Sequence, residues 1–178
     1  MTKQLTLPAL SAFAALSLAG CTTMDSLPTD RVGEARLSFA NGVPAGTVQL
    51  LSNGSTVSVA VAAVGLPEGE HGFHLHTTGQ CTAPDFTSAG GHLNPGQNTH
   101  GALSSGGKHL GDMPNLTVAA NGTGTADVQL EGNASMVLDD IFDADGTAVV
   151  IHAGPDDYRS DPAGDAGARI ACGVIKPV

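Results

Sequence analysis

The sequence predicts an all-β domain, a Greek-key β-sandwich or barrel of about eight antiparallel strands interrupted by two long functional loops. Three observations carry this expectation. Short runs of alternating apolar and polar residues recur along the chain, the mark of strands with one buried face. Twenty-four Gly and ten Pro punctuate those runs and favour turns over long helices. Two stretches, residues 77–115 and 153–167, lose the alternation, and loops of such length inside a compact domain are usually functional. The 178 residues are enough to close one core. With no Trp, one Tyr and five Phe, that core must be built from Val, Ile, Leu and Ala.

The elements follow in order. Residues 1–20 hold one charge, Lys3, and an apolar run from Leu5 to Leu18 that is too short for a comfortable membrane span. The run ends Leu18-Ala19-Gly20-Cys21, which resembles the bacterial lipobox. That resemblance implies a lipoprotein signal peptide cut before Cys21, lipidation of Cys21, and a cell-envelope protein facing the periplasm. Thr22 in place of Asp after the Cys points, by the same resemblance, to the outer membrane. Residues 21–33 are polar and unpatterned and read as a flexible tether to a domain of residues 34–178.

Residues 35–39 and 47–50, separated by Asn41-Gly42-Val43-Pro44, suggest a hairpin. After the turn signal Asn53-Gly54, residues 55–61 alternate cleanly. Residues 71–76 form the next expected strand. Beyond the first long loop come residues 116–118 and 126–130, then 147–152, the second loop, and 168–175.

Charge excludes some partners. Without the leader the chain has six basic and seventeen acidic residues, a formal net charge of −11. Such a surface repels nucleic acid and anionic lipid, so membrane association would rest on the acyl chains. Of the three cysteines, lipidation would take Cys21 and leave Cys81 and Cys172 as a pair in an oxidising compartment.

Six of the seven histidines lie between His71 and His109. His74 and His76 are two apart, so on a strand their imidazoles share a face. His152 ends another strand, and the first loop offers His92, His100, His109 and Asp112. Three nitrogens and a carboxylate suit tetrahedral zinc, whereas an all-imidazole tetragonal site suits copper(II). The spacing points to metal and leaves the distribution of ligands open. His71 faces away from His74 and reads as a structural histidine bonded to backbone.

Four motifs, Gly72-Phe73-His74-Leu75-His76, Gly91-His92-Leu93-Asn94-Pro95, His109-Leu110-Gly111-Asp112 and the run from Gly167 through Cys172 to Ile175, together resemble the copper,zinc superoxide dismutases of the bacterial periplasmic kind. The resemblance implies that His74, His76, His92 and His152 hold copper. It implies that His92 bridges, as an imidazolate, to a zinc completed by His100, His109 and Asp112. It places Cys81 and Cys172 at the family's disulfide, Arg169 at the arginine that guides the substrate, and Asp156, rather than Asp157, at the carboxylate joining a copper ligand to a zinc ligand. Lys108 or Arg159 would add to the local field. The implied reaction is disproportionation of superoxide to dioxygen and hydrogen peroxide, with His92 exchanging a proton. Bacterial members include monomers and dimers, which leaves a homodimer open. Two rivals stand beside this reading: a metal-buffering module of the same fold without turnover, and a zinc hydrolase using metal-bound water.

Overall fold

The computed structural model describes Met1 and residues 29–178. The expected signal peptide, Cys21 and the tether as far as residue 28 lie outside the described residues. The chain forms one antiparallel sheet of ten strands: β1 Asp30–Phe39, β2 Pro44–Ser52, β3 Val57–Ala63, β4 Gly69–His71, β5 Phe73–His76, β6 Leu116–Val118, β7 Gly124–Gln129, β8 Ala148–His152, β9 Arg169–Val174 and β10 Lys176–Pro177. Their order is β4-β6-β7-β3-β2-β1-β9-β8-β5, with β10 beside β1. β4 and β5 stand at opposite ends of this path although Gly72 alone separates them in sequence. The chain thereby joins the two edges and nearly closes the sheet into a barrel.

Inside the barrel the alternation works as expected. Val57, Val59, Val61 and Ala63 of β3 point inward with Val48 and Leu50 of β2, and Phe73 and Leu75 of β5 meet Val149 and Ile151 of β8 in the same core. The opposite faces of β5 and β8 are also buried, which is unusual for an antiparallel sheet. Ala148 and Val150 on that outer face pack with Phe86, Ala89 and Cys172 into a second, smaller cluster under the first long loop. A disulfide from Cys81 to Cys172, S–S 2.02 Å, pins the loop there. The outer face of β5 carries His74 and His76, and loop segments cover them.

Three findings differ from the expectation. β1 begins at Asp30, so the last four residues expected as tether are strand; they pair with Ser52, Leu51 and Leu50 of β2 through backbone, and their side chains give no alternation. The expected strand 71–76 is two strands, because His71 pairs with Leu116 of β6 while Phe73 pairs with Ile151 of β8. A helix, α1, spans Ala134–Ile141. Its N-cap Asn133 accepts the Ser135 N–H at 2.9 Å, and Ala134, Val137 and Ile141 form its buried stripe.

Candidate metal centre

β5 is the rigid base of the site. The first long loop returns alongside it twice: Leu93 N–H donates to the Leu75 carbonyl at 2.8 Å, Leu75 N–H to the Gly111 carbonyl at 3.0 Å, and Gly111 N–H to the Leu93 carbonyl at 2.9 Å. Gly111 is required at this approach, since a Cβ there would fall on the Leu75 carbonyl. These bonds bring His92 opposite His76 and Asp112 opposite His74. His152, at the end of β8, reaches the same place, with its ring centroid 5.0 Å from that of His74.

Besides the triad His74, His100 and Asp156, candidate ligand atoms form two groups of four, each within 4.8 Å: His74, His76, His92 and His152, and His92, His100, His109 and Asp112. His92 belongs to both. Its ring stacks on His74 at 4.0 Å and lies 5.1 Å from His100 and 5.5 Å from His109.

The hydrogen bonds sort each ring's two nitrogens. In the first group His74 Nε2 meets Asp156 Oδ2 at 2.7 Å, His76 Nδ1 meets the Gly90 carbonyl at 3.0 Å, and His152 Nδ1 meets the Gly167 carbonyl at 3.1 Å. The other nitrogens, His74 Nδ1, His76 Nε2, His152 Nε2 and His92 Nε2, are buried without a hydrogen-bond partner. Four unpaired imidazole nitrogens converging in a buried site have a physical rationale as ligands to one metal, and an all-imidazole set suits copper.

In the second group, Asp112 Oδ1 lies 2.8 Å from His92 Nδ1, 3.1 Å from His100 Nδ1 and 3.1 Å from His109 Nδ1. His109 Nδ1 and His92 Nδ1 are 3.4 Å apart, and His100 Nδ1 is misaligned for a hydrogen bond. Four donors around zinc at about 2.0 Å would be spaced by about 3.3 Å along tetrahedral edges, so these separations fit the ion. Asp112 Oδ2 is engaged separately, by the backbone N–H groups of Gly101 at 2.8 Å and His109 at 3.0 Å.

Electrostatics favours the ligand forms. Burial holds His74 down at about 3, His76 at about 2 and His152 at about 4, and lowers His92 as well. The rings are neutral at pH 7 and offer lone pairs. Burial pushes the Asp112 carboxyl up, but hydrogen bonds from His92 and from the Gly101 and His109 amides outweigh it and hold the group below the usual carboxylate range. Asp156 is lowered too; its burial is overcome by bonds from His74 and His100.

Asp156 is buried between the groups, 2.7 Å from His74 Nε2 and 2.9 Å from His100 Nε2. Asp157 is turned away and caps the Arg159 and Ser160 amides. Gly164, at φ +66°, passes so close that a Cβ would fall on Asp156 Oδ1. Arg169 is half-buried, donating to the carbonyls of Phe86 at 2.8 Å and Gly90 at 2.7 Å. The Gly90 carbonyl therefore serves both Arg169 and His76. Lys108 donates to the Asp112 carbonyl at 3.3 Å and pairs with Glu131 at 3.3 Å. His71 meets only backbone, its Nδ1 2.8 Å from the His152 carbonyl and its Nε2 2.9 Å from the Pro67 carbonyl. Sequence reasoning missed the carbonyls of Gly90 and Gly167, which set two ring tautomers; a main-chain group leaves no signal in residue type.

Comparison with known proteins identifies the family. The family described as copper/zinc superoxide dismutase (SODC) matches residues 44–175. "Superoxide dismutase [Cu-Zn] 2" of Aquifex aeolicus is 43% identical over 157 residues, covering 85% of this chain and 90% of the relative. "Superoxide dismutase [Cu-Zn]" of Caulobacter vibrioides is 39% identical over 173 residues, covering 94% and 98%. Among solved structures, that of a SOD-like protein from Bacillus subtilis superposes with a TM-score of 0.73 at 36% identity, over 79% of this chain and 96% of the other. A nearly closed antiparallel barrel, two histidine groups on one face and likeness along most of the chain converge: this protein belongs to the copper/zinc superoxide dismutase family.

Proposed function

We propose that the chain disproportionates superoxide at a copper held by His74, His76, His92 and His152, joined through the His92 imidazolate to a zinc held by His92, His100, His109 and Asp112. The observation that carries this reading is the division of nitrogens: His92 Nε2 is unpaired among the first group while its Nδ1 faces the second. Bound copper supplies one-electron redox cycling, which turns two superoxide ions and two protons into dioxygen and hydrogen peroxide.

The protein's own residues do the rest. Arg169, fixed by two carbonyls beside His76, presents a cation that attracts the anion locally although the whole surface is negative, because distant charges are screened beyond about 8–10 Å at physiological salt. His92 Nε2 holds and gives up the proton that the two half-reactions exchange. Asp112, His100 and His109 keep the zinc on the Nδ1 side, which fixes the orientation of that ring. Asp156 orients His74 and His100 together.

The same reading makes the chain an exported bacterial lipoprotein, acylated at Cys21 and held at the envelope facing the periplasm. Cys21→Ala should move it from the detergent phase to the aqueous phase on membrane partition; an unchanged distribution would remove the anchor from the account. Catalysis is tested by superoxide disproportionation with the copper- and zinc-loaded protein and its His152→Ala variant. Copper-dependent turnover that falls at least about a hundredfold in the variant is the expected result. Metal binding without turnover in the unaltered protein would leave the metal-buffering module in its place.

A further inference from the structure

Asn115 lies between the first long loop and β6, outside both ligand groups. Its Oδ1 accepts the Asp156 N–H at 2.8 Å and its Nδ2 donates to the Asp156 carbonyl at 3.0 Å. One side-chain amide thus satisfies both backbone groups of a residue in the other long loop. Its own N–H donates to the Tyr158 hydroxyl at 2.8 Å, gripping that loop a second time. A planar amide paired with both the donor and the acceptor of one residue fixes that residue in position and rotation, as a β-ladder pair does. What it fixes here is the starting point of a buried carboxylate. Asp156 Oδ2 lies 2.7 Å from His74 Nε2, and Oδ1 lies 2.9 Å from His100 Nε2 and accepts the Tyr158 N–H at 2.6 Å.

We propose that Asn115 is a positioning residue for both metals: by holding the Asp156 backbone it aims that carboxylate at His74 and His100, and so sets the ring orientation of one ligand on the copper side and one on the zinc side. The proposal rests on the assignment of the two groups to copper and zinc. Asn115 makes no hydrogen bond to a ligand ring, and both of its side-chain hydrogen bonds go to Asp156, so its effect on the rings runs through that residue. Carboxylates that orient ligating imidazoles affect metal affinity by about 10- to 100-fold, which sets the expected scale.

The test uses the full protein loaded with copper and zinc, and again with copper and cobalt(II) in place of zinc. Zinc release to a chromogenic chelator, the visible spectrum of cobalt and the paramagnetic resonance of copper are followed in Asn115→Ala, Asn115→Asp and Tyr158→Phe. Asn115→Ala should release zinc about 10- to 100-fold more readily and shift both spectra. Asn115→Asp is nearly isosteric and keeps the acceptor, but sets a carboxylate oxygen against the Asp156 carbonyl; it should shift the same readouts even if the alanine variant folds poorly. Tyr158→Phe removes only the neighbouring hydroxyl bond and should leave the spectra as they were. Wild-type zinc release and unshifted spectra in both Asn115 variants, with only a lower thermal midpoint, would overturn the proposal and leave Asn115 a purely structural role. If the unaltered protein holds neither metal, the assignment of the two groups fails first and the proposal falls with it.

Discussion

Stripped of metal and taken from pH 7.5 to pH 5, the protein should lose several kcal/mol of stability, because the histidines proposed as copper ligands are buried in the neutral form. Burial holds His74, His76 and His152 at about 3, 2 and 4, against an ordinary value of 6.5. The unfolded chain therefore takes up protons below pH 6.5 that the folded chain refuses. Stability is full above that pH, falls as the pH drops through it, and continues to fall until the folded-state values are reached. Each ring contributes about 1.4 kcal/mol per pH unit, or about 2 kcal/mol between 6.5 and 5. These three rings together contribute at most about 6 kcal/mol, since a ring released by local opening takes its proton without global unfolding, and His92, lowered in the same direction, adds to the loss. Asp112 and Asp156, held ionised, add to the loss only below about pH 4, where the unfolded carboxyls protonate first. Urea unfolding followed by circular dichroism at pH 7.5, 6 and 5 measures the effect. The metal-loaded protein should resist acid until protons displace the ions. A change below about 1 kcal/mol in the metal-free protein would refute the claim that these rings are buried and neutral.

Two further outcomes are expected. Asp85 is exposed and shares a cleft of about 440 Å³ with Arg169, Gly167 and Ala168. Asp85→Asn keeps an acceptor for the Thr87 amide and hydroxyl and removes a negative charge near Arg169, the arginine proposed to attract the substrate; the second-order rate constant should rise by about twofold at low ionic strength, with the gain fading as salt is added. A rate equal to that of the unaltered protein at every ionic strength would deny Arg169 and Asp85 opposing roles. Cys172→Ser frees the loop that closes 91 residues later along the chain. The urea midpoint should fall, by up to roughly 4–5 kcal/mol of stability in the chain-entropy model. Turnover should fall with it, as Arg169 depends on carbonyls of that loop.

Much of the fold was legible because it rests on local patterns. β3 reads directly from Val57, Val59 and Val61, whose spacing of two is the physical cause of their shared burial. The gathering of the histidines was equally plain, since His74 and His76, two apart on a strand, must share a face. What escaped the sequence depends on distant partners. Nothing local says that the chain changes sheet edge at Gly72; that follows from β6 receiving one side and β8 the other. The strand at Asp30 escaped because backbone pairing to β2 holds it while Asp30, Arg31 and Gly33 leave no apolar alternation. Helix α1 did leave a signal, the N-cap Asn133 before apolar residues at Ala134, Val137, Leu138 and Ile141. The grip of Asn115 on Asp156 spans two loops that only the folded barrel brings together.

In the proposed centre one ring, His92, touches both metals. Paramagnetic resonance of the protein with copper(II) on the His74, His76, His152 side and cobalt(II) on the His100, His109, Asp112 side tests it most directly. A ligand shared through its two nitrogens couples the spins, so the copper signal should collapse when cobalt is bound and return when zinc replaces it. A copper signal of full intensity beside fully loaded cobalt would contradict the bridge.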